Sequence, residues 1–372
     1  MQYVKGMSAC VGVIGAGAWG LAIAQVIAEK GKEVVIWSRN EGNRDDINVR
    51  HRSGYLSDLE ISSNVRATSD IVEAVSGREY LILAVPSLYL LETVKKILGV
   101  PSIQEGETAI AVLTKGFLAT SKGPRLILET LEDYLPGFYR QSLVYIAGPS
   151  HAEEVSRHKI TGLIAASENA RNALRFRDLL KNKWLFVFPS LDVRGVQVAA
   201  ATKNVIAIAF GMMDAFKNVN SEMRGKAHEE NVIDITKLFG DGTESLLLAA
   251  GLNEIQTLGM AMGATHSETF TSISGIGDLD VTCRSVFGRN RRFGKEIIEK
   301  NIIEPFKDID DILARIGDIG YLPEGVAATK HIKFLIEKHQ LTMPISVGLY
   351  QILNREIEPF DFLCKFFERL GS

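Results

Sequence analysis

A lysine stands inside one of the most apolar stretches of the chain, the run AAATKNVIAIAF that carries Lys203 and Asn204. Burying an ammonium without partners is costly, so a lysine here must be paired or open onto a cleft. Burial and nearby charges are also the levers that bring an amino group into use as a general acid or base. Further along, the segment Ser274-Gly-Ile-Gly-Asp278-Leu-Asp-Val-Thr282-Cys283 offers a carboxylate and a hydroxyl. Gly288-Arg289-Asn290-Arg-Arg-Phe-Gly294 then offers a guanidinium and an amide near an expected helix start. A guanidinium fork, an amide and helix N–H groups together suit a phosphate dianion. Asp278 either holds Lys203 or meets a substrate hydroxyl. Lys115 follows an apolar run directly and supplies a second cation. A ketone oxygen gains negative charge as hydride arrives, and a proton donor with a nearby cation lowers that barrier. Lys203 as donor, Lys115 as electrostatic partner and Asp278 as their acidic companion meet the requirement without a metal.

Hydride chemistry needs a carrier, and the start of the chain supplies a place for one. Gly15-Ala-Gly17-Ala18-Trp19-Gly20 lies between the apolar run CVGVI and the helical pattern LAIAQVIAEKG. Gly15 permits the tight turn, Gly17 lets the backbone approach a pyrophosphate, and Gly20 lets helix and strand pack closely. The segment EVVIWSR follows as a second strand, which completes a βαβ unit within about 30 residues. An acidic residue closing that strand would bond the ribose 2′-hydroxyl of NAD. Ser38-Arg39-Asn40 stands there instead. Arg39 either faces a 2′-phosphate or stacks on adenine, which favours NADP while leaving NAD open.

Further strands fit residues 80–86, 108–116, 143–150, 161–167 and 185–190, each apolar on both faces as in a covered parallel sheet. Ligands of such sheets lie beyond the carboxyl ends of the strands. Those ends are Val85-Pro86-Ser87, Thr114-Lys115-Gly116 and Gly148-Pro149-Ser150-His151. From residue 191 the pattern turns helical, with a long helix over 196–216 and others at 243–262, 291–300, 324–339 and 342–354. No convincing strand follows residue 190. The fold class is therefore α/β: a Rossmann-like N-terminal domain, residues 1–190, followed by an all-helical substrate-binding domain, residues 191–372. The polar stretch 217–242 reads as a surface insertion or a lid.

The bulk numbers narrow the function. With 372 residues, 46% hydrophobic and 23% charged, the chain has room for two ordinary cores. Its 42 basic and 45 acidic residues leave a net charge of −3, no general reason to bind nucleic acid or an anionic membrane. No run of about 20 apolar residues is evident, so no spanning helix is expected. The first ten residues are too short and polar for a secretory signal, and Met7 is an alternative start. Cys10, Cys283 and Cys364 form no CxxC pair, which argues against a disulfide scaffold or a zinc site and for a reducing, cytoplasmic setting. His228, His266, His331 and His339 lack ligand spacing and read as ordinary surface or helix residues, and Cys283 as packing. The apolar helices allow a homodimer.

Together GAGAWG, the VPS and TKG strand ends, GPSHAEEV, KNVIAIA, GIGDLDVTC, GRNRRFG, PEGV and MPI resemble the NAD(P)-dependent sn-glycerol-3-phosphate dehydrogenases of bacterial type, over about residues 10 to 360. The resemblance implies interconversion of sn-glycerol 3-phosphate and dihydroxyacetone phosphate, with Lys203 as proton donor and acceptor. It implies that Lys115, Gly148, Ser150, Asn204, Asp278, Thr282, Arg289 and Asn290 surround the small phosphorylated substrate, Thr282 helping to hold the phosphate. It places Gly15, Gly17, Ala18, Trp19, Gly20, Arg39, Pro86, Ala152, Arg289 and Glu324 against the cofactor; His151 is a candidate for touching cofactor or substrate only because it follows the third strand edge. The chain departs from the family pattern at His151 and Glu153, at Gly242 and Glu244, at Ala250, at Gly288 and in the long 217–242 stretch. Those departures keep open a related phosphorylated or phosphonylated polyol as substrate. A dinucleotide-binding sensor without turnover is the remaining alternative; Lys203, Lys115 and Asp278 argue against it.

Overall fold

The computed structural model describes residues 10–218 and 239–370. Most of the polar 217–242 stretch, with His228, lies outside them, as does Met7. The chain divides into two compact units. The first runs to Leu118 and resumes over Arg125–Gln197; the second holds Ala119–Pro124 and everything from Val198.

In the first unit, eight strands form one sheet: β1 Val11–Ile14, β2 Val34–Trp37, β3 Val65–Thr68, β4 Tyr80–Leu83, β5 Ala109–Val112, β8 Val144–Ala147, β9 Thr161–Ala166 and β10 Leu185–Ser190. β6 (Phe117–Thr120) and β7 (Gly123–Leu126) pair separately. The spatial order is β10-β9-β8-β5-β4-β1-β2-β3. β1 sits between β2 and β4 in parallel register, Val11 opposite both Val34 and Tyr80. All four β1 residues are buried, as are all those of β5 and β8, as expected of strands in a sheet covered on both faces. The helices of this part of the chain are α1 Ala18–Ala28, α2 Glu41–Asp45, α3 Ile71–Val75, α4 Ser87–Lys95, α5 Pro101–Gln104, α6 Ile127–Glu132, α7 Ala152–Ser156 and α8 Ala170–Leu180.

Two features differ from the sequence expectation. The sheet is not wholly parallel: β9 runs against β8, Ile146 opposite Ala165, and β10 follows β9. Apolar residues on both faces report burial, not direction. β3, whose sequence is VRAT, is too short and too mixed in polarity to stand out.

The helix α9, Val193–Asn218, leads into the second unit, followed by α10 Asp241–Ala261, α11 Glu268–Thr271, α12 Asp278–Arg284, α13 Arg289–Lys300, α14 Ile309–Ala314, α15 Glu324–His339, α16 Pro344–Leu353 and α17 Pro359–Leu370. Among the described residues from Val198 onward the regular elements are helices, as the sequence reading expected, and the unit also takes in residues 119–124. The expectation about spanning length also needs correction. Val193–Lys217 is long and apolar enough to cross a membrane, with mean hydropathy 1.4, yet its most apolar window is 100% buried inside the protein. That is how the central helix of a folded core behaves.

Glycines set how closely the helices meet α9. A Cβ on Gly211 would lie 2.1 Å from the Arg291 carbonyl oxygen, and one on Gly294 2.0 Å from that of Ile208. These contacts bring the backbones of α9 and α13 together. Elsewhere Glu254 of α10, 3% exposed, reaches the start of α16. Its carboxylate accepts the backbone N–H groups of Ile345 (2.5 Å) and Ser346 (3.0 Å) and the Ser346 hydroxyl (2.7 Å). Burial pushes its pKa up to about 7, although those hydrogen bonds act in the opposite direction.

Candidate active site

Within the second unit, α9 carries Lys203 and Asn204, each 5% exposed. The Lys203 ammonium is paired: Nζ donates to Asp278 Oδ1 and, at 2.8 Å, to Thr282 Oγ1. The Thr282 hydroxyl in turn donates to the Asp278 carbonyl at 2.6 Å. Asp278 opens α12 and Thr282 lies one turn on, so both face the lysine from one side of the helix. A π-helical turn, Ile273–Gly277, delivers the chain to Asp278. At Gly275 a Cβ would sit 1.9 Å from the Phe270 carbonyl oxygen, so that turn requires glycine. Of the two roles open to Asp278, the geometry therefore shows its pairing with Lys203. Thr282, expected at the phosphate, has its hydroxyl on the lysine. Cys283 is fully buried and burial raises its thiol pKa, consistent with packing.

Arg289 is the first residue of α13 and is exposed. The other cations of that helix are engaged: Arg291 with Asp214 at 2.5 Å, Lys295 with Asp214 at 3.4 Å, Arg292 with Glu296 at 3.1 Å and Lys300 with Glu296 at 2.8 Å. Among the described residues, Arg289 has no carboxylate partner. Beside it the Asn290 amide oxygen accepts the backbone N–H of Gly325 at 2.8 Å, which ties α13 to the first turn of α15, where half-buried Glu324 stands. A Cβ on Gly325 would meet the Asn204 carbonyl oxygen at 2.8 Å, so α9, α13 and α15 converge there. Among the sequence departures, Glu244 has a structural use. It is buried between Lys217 at 2.5 Å and Arg284 at 3.1 Å.

The first unit holds the glycine turn. Gly15 has φ +120, and a Cβ there would press on the Ala84 backbone at 3.0 Å; on Gly20 it would fall 1.9 Å from the Gly15 carbonyl oxygen. A Cβ on Gly17, by contrast, would meet nothing within 4 Å, so that face of the turn is open. Gly17 caps the 11-residue helix α1 without a side-chain bond, and the first turn, with Ala18 and Trp19, holds no acidic residue. An uncapped helix start beside an open backbone face fits the pyrophosphate of a dinucleotide. Arg39, just past β2, lies with its guanidinium carbon 5.5 Å from the centre of the Tyr89 ring on α4.

At the strand ends, the Thr114 hydroxyl donates to the Val85 carbonyl at 2.7 Å, which joins the exits of β4 and β5. Pro86 there caps α4, and half-buried Lys115 follows Thr114. Gly148 takes φ +149 after β8, and the Ser150 hydroxyl donates back to its carbonyl at 3.2 Å. His151 caps α7, which buried Ala152 begins. Sequence reasoning overlooked Asn43, whose buried amide contacts the glycine turn; its polar neighbours Ser38 and Asn40 were the available signal.

A Rossmann-like domain with an open glycine turn, joined to a helical domain with a buried ion-paired lysine, defines a nicotinamide-dependent oxidoreductase. Two family models match the chain: NAD-dependent glycerol-3-phosphate dehydrogenase N-terminus over residues 10–173, and the C-terminus of the same family over residues 192–363. The chain belongs to the NAD-dependent glycerol-3-phosphate dehydrogenase family. A relative from Treponema denticola, named glycerol-3-phosphate dehydrogenase [NAD(P)+], is 50% identical over 95% of this chain and 96% of its own length. One of the same name from Leuconostoc mesenteroides is 34% identical over 94% of each. The crystal structure of glycerol-3-phosphate dehydrogenase from Coxiella burnetii superposes with TM-score 0.79 at 26% identity, covering 97% of this chain and 99% of that one.

Proposed function

We propose that this enzyme interconverts dihydroxyacetone phosphate and sn-glycerol 3-phosphate, with Lys203 handling the proton and NADP favoured over NAD. When bound, the reduced nicotinamide supplies the hydride that goes to C2 of the ketone. The Lys203 ammonium gives its proton to the ketone oxygen, so ketone, hydride and proton balance as the secondary alcohol. In the reverse direction the neutral amine takes that proton back. Asp278 and Thr282 hold the Lys203 ammonium in place and offset the cost of its burial. Arg289 and Asn290, with the start of α13, take the phosphate; Asn204 joins them at the substrate. Lys115 opposes the charge that develops on the oxygen, and Gly148 and Ser150 are assigned to the substrate as well. Gly15, Gly17, Ala18, Trp19, Gly20, Arg39, Pro86, Ala152 and Glu324 are assigned to the cofactor, with Arg289 also near it. The favoured NADP rests on Arg39 standing where an acidic residue would select NAD. Three free cysteines support a reducing, cytoplasmic setting, and the reading includes a homodimer without membrane insertion.

The observation that carries the proposal is the buried Lys203 held by Asp278 and Thr282, in the same unit that presents the exposed guanidinium of Arg289, which has no carboxylate partner among the described residues. The test is a panel of phosphorylated and phosphonylated ketones assayed with NADPH and with NADH. Turnover is expected with dihydroxyacetone phosphate. Turnover solely with another ketone, or none with any, overturns the proposal.

A further inference from the structure

We infer that Asn43 is a positioning residue for the cofactor, holding the glycine turn in register with the segment that reads the ribose. The inference deepens the proposed function and rests on its placement of NAD(P) at that turn. Asn43 belongs to α2 and is 8% exposed. Its Nδ2 donates to the carbonyl of Ala16, the residue between Gly15 and Gly17, at 3.2 Å. The same amino group lies 3.4 Å from the Ser38 hydroxyl, which in turn donates to the Asn40 carbonyl at 2.9 Å. Ser38 is the first residue after β2, directly before Arg39. Oδ1 of Asn43 accepts the hydroxyl of Ser53, itself 3% exposed, at 2.6 Å. The backbone N–H of Asn43 is held by Asn40 Oδ1 at 3.1 Å, which fixes where α2 begins.

One side chain therefore touches both halves of the cofactor-reading backbone. A carbonyl bonded on one side of the turn directs the turn's N–H groups to the other, where a Cβ on Gly17 would meet nothing. Ser38 is tied to the same amide, so the spacing between pyrophosphate and ribose 2′ positions is set by a bond 27 residues apart in sequence. A buried carbonyl that loses its donor is left unsatisfied, and the turn shifts to recover a partner.

The experiment measures binding of NADPH to the whole enzyme without substrate, by calorimetry, together with thermal unfolding and with kcat at saturating cofactor. Asn43→Leu removes both amide groups, Asn43→Asp keeps the acceptor for Ser53 but loses the donor to Ala16, and Ser53→Ala leaves that donor in place. The expected result is that both Asn43 variants weaken NADPH binding about tenfold, while Ser53→Ala binds close to wild type and kcat changes little. Wild-type affinity in Asn43→Leu would assign any loss in Asn43→Asp to its added charge and overturn the inference. Equal weakening in Ser53→Ala and Asn43→Asp, tracking their loss of thermal stability, would overturn it too, by reducing Asn43 to a packing role. Because binding is read without a ketone, failure of this inference and failure of the proposed reaction give separate signals.

Discussion

Replacing Lys203 by methionine separates the chemistry of the ammonium from its part in the fold. Methionine keeps the length of the side chain and removes the charge. Lys203 is 5% exposed and Asp278 1% exposed, so the variant leaves a buried carboxylate without the cation it faces. Breaking a buried pair from one side costs about 3–5 kcal/mol of stability. Turnover should fall by about 10²-fold or more if Lys203 is the proton donor proposed above. The companion variant Lys203→Met/Asp278→Asn removes both charges and keeps an amide where Thr282 and its neighbours need polarity. It should regain most of the stability and none of the turnover. The assays are denaturant unfolding and oxidation of NADPH by dihydroxyacetone phosphate, with NADPH binding as a control that stays near wild type. Wild-type turnover in the double variant would refute the role given to Lys203. Equal destabilisation of the single and double variants would refute the pairing argument.

Two further outcomes follow from the same geometry. Arg289→Ala should raise KM for dihydroxyacetone phosphate by about tenfold or more, more than it raises KM for NADPH; a larger effect on the cofactor would reassign the guanidinium. Glu254 gives a pH dependence. Its folded pKa, about 7, stands above the ordinary value of 4.5 because of burial. A carboxyl raised in this way contributes stability below about pH 4.5 that is lost as the pH rises through about 7, on the order of 3 kcal/mol. Glu254→Gln does not titrate, so the wild-type loss of unfolding free energy between pH 5 and pH 8 should exceed that of the variant; equal losses would contradict the assignment.

Much of this molecule was legible before any coordinates. The glycine turn, the second strand without an acid at its end, and the helices α10, α13, α15 and α16 lie within two or three residues of where periodicity placed them. Such features are local: a 3.6-residue repeat, a glycine spacing or a buried run is a property of neighbours in the chain. Lys203 was conspicuous for the same reason, a charge set in an apolar run.

What neighbours in sequence do not share, the tertiary structure decided. Lys203 and Asp278 are 75 positions apart, Asn290 and Gly325 are 35 apart, and Asn43 and Ala16 are 27 apart. The direction of β9 depends on how the chain returns to the sheet edge, which no face pattern encodes. The partner of Thr282 was settled by how α12 meets α9, which brings its hydroxyl to the Lys203 ammonium across 79 positions, while the Gly211–Arg291 and Gly294–Ile208 approaches set how α9 meets α13. Local propensity can say that a lysine must find a partner; only close packing of distant segments selects the partner, since the desolvation cost is met by whichever carboxylate the fold brings within hydrogen-bond reach.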